Sequence, residues 1–405
     1  MSTSVSDPTN SATKASYWQL VAMGEPFRLL FPLGVLIGIF GVAIWPLYFW
    51  HLSSIYPTQI HARIMIQGFE TCFVLGFLGT ALPRLLDVPR LLLYETLFFA
   101  VCQVLITVFH YAGQPLVADS LFICNICFLL FTLGRRLRMR KDIPPPAFVL
   151  VLLGMASALT GSAMQVIWEI NSSILPASTF RLSQLLLYQA YLLLPIMGVG
   201  AFILPRFFGL PSRQDLAESM SFTPEWKKRA AFALFCGVTV LVSLICESMG
   251  QYRLGYGLRI FAILLYFLRE VPVYRASFNM GSMALALRIA LVSIPIGYVL
   301  LIVWPEHLFA LLHVVFISGF SLLTLVVSTR VMLGHSGKSH LLRAPLYSIR
   351  ILMGLLFLAM LTRVIADWLP ENQISHYIYA AVCWIIGVSI WGIAILPRVR
   401  EPDTE

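Results

Sequence analysis

Histidines are the side chains of this sequence with the clearest capacity for chemistry, because imidazole is the commonest metal ligand in proteins. Six of the eight are predicted to lie in the outer halves or at the outer ends of membrane helices: His51, His61, His110, His307, His313 and His376. His61 and His313 stand out, since each heads or lies within a segment whose remaining residues are typical of a buried helix. Each is predicted either to ligate a metal or to make a hydrogen bond between helices, and these features alone do not separate the two.

The helix that begins near His61 carries two contrasting faces. At helical spacing Met65, Gly68, Cys72 and Gly76 share the face of His61, a stripe of small residues that admits a second helix or a flat cofactor. The opposite face is predicted to carry three polar side chains, those of Arg63, Gln67 and Glu70. Arg63 and Glu70 lie two helical turns apart and are expected to pair. A helix of this kind should be central in its bundle.

The segments that hold these residues are too apolar for water to be their main solvent. Of the 405 residues 59% are hydrophobic and only 12% are charged. Many apolar runs reach the 18 or so residues that cross a bilayer core. An open sheet would leave backbone donors and acceptors unpaired there, so the spans are predicted to be helices. The fold class is therefore all-α, a polytopic transmembrane helix bundle of about 12 spans. These are predicted near 27–50, 62–83, 91–112, 116–134, 146–168, 182–208, 227–249, 252–268, 282–303, 305–331, 345–368 and 375–396.

Three regions are predicted: a disordered polar tail over 1–16, a transmembrane helical domain over 17–398 and a C-terminal tail over 399–405. The net charge of +9 comes largely from Lys and Arg in alternate short loops. Such clusters mark cytoplasmic loops, so both termini are expected in the cytoplasm. The same placement makes the lipid bilayer the partner of the basic residues and argues against nucleic acid. It leaves the oligomeric state open.

Internal repetition is a further hypothesis. Leu82-Pro83-Arg84, Leu204-Pro205-Arg206 and Thr329-Arg330 end the second, sixth and tenth predicted helices, with their arginines 122 and 124 residues apart. A triplicated four-helix unit would produce this spacing, as in transporter folds. Helix ends that simply favour Pro and Arg would produce it too.

The run from His61 through Gln67-Gly68-Phe69 to Leu82-Pro83 resembles the signature of the NnrS family. So does the stretch from His313 to Ser328-Thr329-Arg330-Val331-Met332-Leu333-Gly334-His335-Ser336-Gly337-Lys338. The resemblance implies a multi-pass protein of the bacterial inner membrane that binds haem b and copper. It also implies a role in denitrification and nitrosative stress, with nitric oxide as the small ligand. Carried over by position, His61, His313 and His335 would bind the cofactor, with His61 and His313 on the metal.

The chain departs from the family pattern at three positions. Arg63 and Ile64 stand where the family usually has a second histidine and an acid, and Arg288 stands where it has a histidine in the ninth helix. Arginine stays protonated and offers no lone pair to a metal. The competing hypothesis is therefore a metal-free transporter or channel that uses the buried residues Arg63, Glu70 and Arg288. The sequence contains no catalytic constellation of nucleophile, base and orienting group, so enzyme activity is left open.

Overall fold

In the computed structural model, residues 16–278 and 281–403 are described. The predicted disordered tail lies almost entirely outside them. The described chain is helical throughout, in a short N-terminal helix, Tyr17–Ala22, and twelve long helices. Those twelve are α1 (Phe27–Phe49), α2 (Thr58–Leu85), α3 (Leu93–Tyr111), α4 (Pro115–Met139), α5 (Phe148–Ile170), α6 (Ala177–Phe207), α7 (Pro224–Ser248), α8 (Tyr252–Glu270), α9 (Ser282–Val303), α10 (Pro305–Gly334), α11 (Tyr347–Ile365) and α12 (Pro370–Arg400).

Eleven of these helices are long and apolar enough to cross a membrane, which confirms the prediction of a multi-pass helix bundle. The exception is α8, which has 19 residues and carries Arg253, Arg259, Arg269 and Glu270. It still packs along its length between α7 and α9. Its central arginine, Arg259, is fully buried in protein, so the helix shows lipid a more apolar surface than its composition suggests.

Three similar units of four helices build the bundle: α1–α4, α5–α8 and α9–α12. Within each unit the first helix packs on the second, and the third packs on the fourth. The units then join through α4 with α5, α8 with α9, and α12 with α1, so that they close a ring. The second helices of the units, α2, α6 and α10, are the most buried of the eleven apolar helices. The contacts thus support the hypothesis of a triplicated unit.

The same three helices share an unusual backbone. Each contains a π-helical segment, over Ile64–Glu70 in α2, Leu186–Ala190 in α6 and Val314–Ser321 in α10. A π-helical turn closes hydrogen bonds from i to i+5, and such segments are frequent at functional sites. In α2 the Thr71 hydroxyl donates to the Ile66 carbonyl at 2.8 Å and so satisfies part of the widened turn.

Both ends of the described chain meet at one end of the bundle. Arg28, at the start of α1, donates to the carbonyl oxygens of Val399 and Glu401 at 2.7 Å each. The carboxylate of Glu25 lies between Arg28 and Arg84, 2.5 Å from each. The ends of α2, α10 and α12 therefore converge on the start of α1, and the beginnings of α2, α6 and α10 lie at the opposite end.

Candidate functional site

A cavity of about 610 Å³ opens at the end of the bundle away from the chain termini. It is bordered by the first halves of α2, α6, α10 and α12 and by the last turns of α1 and α11. Its size falls within the range of small-molecule sites. Aromatic side chains form much of the wall: Trp45, Tyr56, Tyr188, Phe309, Phe316, Tyr377 and Trp384.

Both singled-out histidines line this cavity. The Nδ1 atom of His61 lies 2.8 Å from the Gly41 carbonyl oxygen, and that of His313 lies 2.6 Å from the Phe309 carbonyl oxygen. A carbonyl oxygen only accepts, so Nδ1 carries the proton in both rings and Nε2 keeps its lone pair. Among the described residues, no side chain or backbone group hydrogen-bonds either Nε2. This is the arrangement found in metal-binding histidines, whose second nitrogen donates to a carbonyl or carboxylate.

Two arginines also border the cavity. Arg181 donates to the Glu247 carboxylate at 2.7 Å, and Arg363 lies 3.2 Å from that of Asp367. The guanidinium of Arg363 also lies over the Tyr377 ring, 4.5 Å from its centre. Side chains of this kind can bind the acidic groups of a ligand while the aromatic wall holds its apolar part.

The acid nearest the closed end of the cavity is Glu70. Ser321 and Thr324 of α10 donate to its two carboxyl oxygens, at 3.4 and 2.8 Å. The prediction that Glu70 pairs with Arg63 is wrong. The prediction that Glu70 lies on the face opposite His61 is also wrong, because both residues line the same cavity. Nine residues make two and a half turns of an α-helix, but the π-helical segment between them takes more residues per turn and rotates Glu70 toward His61.

Arg63 lies outside the cavity, in a buried polar cluster between α2, α3, α4 and α5 that meets the cavity wall at Tyr188 of α6. It donates to Asp119 at 2.8 Å and approaches Glu169 at 3.5 Å. Gln67 donates to the other oxygen of Asp119 at 2.7 Å and hydrogen-bonds His110. Sequence reasoning missed Asp119, although a lone acid within an apolar span is a signal that such a residue has a buried partner.

The small-residue stripe of α2 faces another helix and not a cofactor. Gly34 of α1 approaches so closely that a Cβ atom placed on it would lie 2.8 Å from the Cβ of Cys72. A Cβ on Gly68 would lie 2.7 Å from Ile37, and one on Gly76 would meet Phe31 at 2.8 Å. Helix α1 therefore covers the stripe, the first of the two options that the spacing allowed.

Arg288 and His335 are both remote from the cavity wall. Arg288 donates to the carbonyl oxygens of Ala276 and Ser277, at 3.0 and 2.8 Å, and its guanidinium lies over Phe278 and Phe208. It therefore fixes the loop after α8. His335 follows α10 at the opposite end of the bundle, where its Nδ1 lies 3.0 Å from Glu25.

His335 belongs to an ion-pair cluster with Glu25 and Asp403, whose ligand atoms all lie within 4.8 Å of one another. Burial disfavours the charged form of Glu25, but hydrogen bonds from His335 and Arg28 prevail and lower its pKa to about 2. Arg84 donates to both Glu25 and Asp403. A metal ion here would have to displace Arg84, so the cluster is built to join chain segments.

Comparison with known families identifies the chain at this point. The family profile described as NnrS protein matches residues 22–402. The chain belongs to the NnrS family. The match spans all twelve helices, so the whole cavity lies within the part shared with the family, as do Glu25 and His335 of the ion-pair cluster. No curated protein matches the chain significantly.

Proposed function

We propose that this NnrS family protein binds haem b in the cavity, with His61 or His313 as an axial ligand, and responds to nitric oxide. The observation that supports the proposal is the hydrogen bonding of the two imidazoles. In each ring Nδ1–H donates to a backbone carbonyl oxygen, and Nε2 has no hydrogen-bond partner in the described residues. Two neutral imidazoles on one cavity wall are a donor set suited to haem iron.

The rest of the wall fits a group of this kind. Haem is large, flat and apolar, and its two propionates are anionic. Seven aromatic side chains line the cavity together with aliphatic ones, and Arg181 and Arg363 supply cations at its border. Haem iron binds nitric oxide, so a haem held here would give the protein a nitric oxide site within the membrane.

The departures from the family pattern leave this donor set intact. Arg63 is paired with Asp119, and Arg288 is bound to loop carbonyls, so neither side chain lines the cavity. They do replace two histidines of the family pattern by side chains that offer no lone pair to a metal. Copper is therefore the weaker part of the proposal, and a metal analysis of the purified protein decides it directly.

A metal-free transporter or channel finds less support. Of the residues that such a path would use, Arg63 lies in a buried cluster that meets the cavity at Tyr188, Glu70 lies at the deep end of the cavity, and Arg288 lies at a loop. Among the described residues, the hydrogen bonds of Arg288 go only to loop carbonyl oxygens, so it is not part of a route between the other two. We propose the bacterial inner membrane as the location, with both termini cytoplasmic. That places the cavity mouth on the periplasmic side.

The decisive experiment is the absorption spectrum of protein purified from haem-replete cells. The wild type should show a b-type haem spectrum that shifts on addition of nitric oxide. His61→Ala or His313→Ala should lose most of the haem at equal yield of folded protein. His376→Ala is the matched control, because that histidine is at the same end of the bundle but outside the cavity. A colourless, folded wild type would refute haem binding.

A further inference from the structure

Glu70 differs from every other buried acid in the described part of the chain. Six acids are buried: Glu25, Glu70, Glu95, Asp119, Glu247 and Glu270. Five of them have an arginine within 4 Å. These pairs are Glu25 with Arg28, Glu95 with Arg136, Asp119 with Arg63, Glu247 with Arg259 and Glu270 with Arg269. Among residues 16–278 and 281–403, no basic side chain comes that close to Glu70. Its negative charge is therefore not balanced by the protein.

The only hydrogen bonds that reach the Glu70 carboxyl in the described residues come from two neutral hydroxyls, those of Ser321 and Thr324. Glu70 retains 5% exposure. The desolvation cost of an ionised carboxylate in such surroundings is much larger than the net gain of a neutral hydrogen bond. Two hydroxyls alone do not offset that cost.

The π-helical segments of α2 and α10 bring Glu70 and Ser321 together. Glu70 is the last residue of the π-helical segment of α2, and Ser321 is the last residue of that of α10. Thr324 follows one turn later. Both segments start beside the cavity histidines, so they carry the wall from the imidazoles at the mouth to the acid at the deep end.

The ionisable groups that line the cavity together with Glu70 come from five helices and two loops. They are His61 of α2, Arg181 and Tyr188 of α6, His313 of α10, Arg363 of α11, Tyr377 of α12, and the loop residues Tyr56 and Asp367. Tyr191 of α6 lies behind Glu70, with its hydroxyl 3.0 Å from that of Thr71. The two arginines already have carboxylate partners, Glu247 and Asp367.

We propose that Glu70, Ser321 and Thr324 form a proton-binding site at the deep end of the cavity. The carboxyl is held as the neutral acid and exchanges its proton with the cavity. Because a hydroxyl both donates and accepts, Ser321 can accept from the acid proton while Thr324 continues to donate to the other oxygen. Protonation removes the unbalanced charge. It also makes the net charge of the cavity depend on pH, whether or not haem is bound.

Infrared spectroscopy of the purified full-length protein in nanodiscs tests this directly. A protonated carboxyl gives its own carbonyl stretching band, distinct from that of a carboxylate. Subtracting the Glu70→Gln spectrum from the wild type should leave a band equal to one carboxyl group per chain at neutral pH. The band should shift on exchange into D₂O, because the cavity reaches Glu70, and it should disappear as the pH is raised.

Glu169→Gln is the matched control. Glu169 is an acid at the same end of the bundle, but it faces Arg63 and is a third exposed, so its removal should leave the band unchanged. Matching the haem content of the preparations separates the test from the proposed function. If the wild type and Glu70→Gln spectra superimpose at every pH in the region of the protonated carboxyl band, the Glu70 carboxyl is ionised and the proposal fails. A sodium-dependent change that is lost in Glu70→Gln would overturn it in favour of a metal cation.

Discussion

Three corresponding positions in the bundle differ in what they offer to a ligand. Gln67, Gln189 and His313 each lie 17 residues before an arginine near the end of their helix, at Arg84, Arg206 and Arg330. Gln67 does not line the cavity, whereas Gln189 and His313 both do. Gln189 is held by the buried Arg259, but the Nε2 atom of His313 has no hydrogen-bond partner in the described residues, so the shared position is structural in two units and available to a ligand in one.

Gln67 and Gln189 each belong to a buried cluster that contains an arginine paired with an acid. Gln67 bonds Asp119, which pairs with Arg63 at 2.8 Å. Gln189 accepts from Arg259 at 2.7 Å, and Arg259 pairs with Glu247 at 2.7 Å. In the third unit the corresponding residue is an imidazole, and the arginine and acid, Arg363 and Asp367, border the cavity. Buried pairs of this kind are strongly destabilised when one partner is removed, while a cavity wall tolerates change.

The largest effect is expected from Asp119→Asn. The substitution keeps the shape of the side chain but leaves the buried guanidinium of Arg63 without its main counter-charge. The free energy of unfolding should fall by about 3–5 kcal/mol. Denaturant titration in mixed micelles measures it, with Glu225→Gln as the control, because the pair of Glu225 with Arg229 is exposed and contributes little to stability. Equal effects of the two variants would contradict a structural role for the cluster.

A smaller loss is expected from Gln67→Leu. The change removes a donor to Asp119 and the partner of His110, which leaves buried polar atoms unsatisfied. Such a loss costs about 1–3 kcal/mol, and Gln189→Leu should have a similar effect because it removes the acceptor of hydrogen bonds from the buried Arg259 and Tyr298. A large difference between the two variants, measured in the same micelles, would break the correspondence between the first two units.

Acid should weaken the junction of the chain termini at Glu25. Its pKa is lowered from an ordinary value of 4.5 to about 2, so Glu25 binds protons less readily in the folded state than in the unfolded state. Its contribution to stability is fully present above about pH 5 and is lost as the pH falls toward 2. Glu25→Gln should flatten this part of the pH profile. A profile that is identical in the variant would exclude Glu25 as its source.

The smallest change in stability is expected from His313→Gln, which places in the third unit the residue found in the other two. The variant loses one hydrogen bond, from Nδ1 to the Phe309 carbonyl, so the free energy of unfolding should change by about 1 kcal/mol. The haem spectrum should nevertheless be lost. A variant that retains haem would assign the axial position to His61 alone.

The apolar runs predicted nearly all of the architecture, because lipid permits few backbone arrangements. Even α8, with its charged residues, was placed at 252–268 and is observed at Tyr252–Glu270. The repeat was also visible in the arginine spacing. Sequence periodicity brought His61 and His313 forward, and both do line one cavity.

Periodicity failed where the helix is not regular. A face assignment assumes 3.6 residues per turn, and the π-helical segment of α2 invalidates it for Glu70. Partners distant in sequence were also out of reach. The sequence near Arg63 does not indicate that its partner is Asp119 on α4. The sequence near His335 does not indicate that its partner is Glu25, 310 residues earlier. Both pairs are set by how the helices pack.

The closure of the ring through α12 and α1 has a consequence for engineering. Since neighbouring units meet in the same manner at all three joints, the order of units around the ring does not depend on where the chain is cut. A circular permutant that links the C-terminus to the N-terminus and opens between α4 and α5 should therefore still assemble, and it would carry its new ends at a different joint.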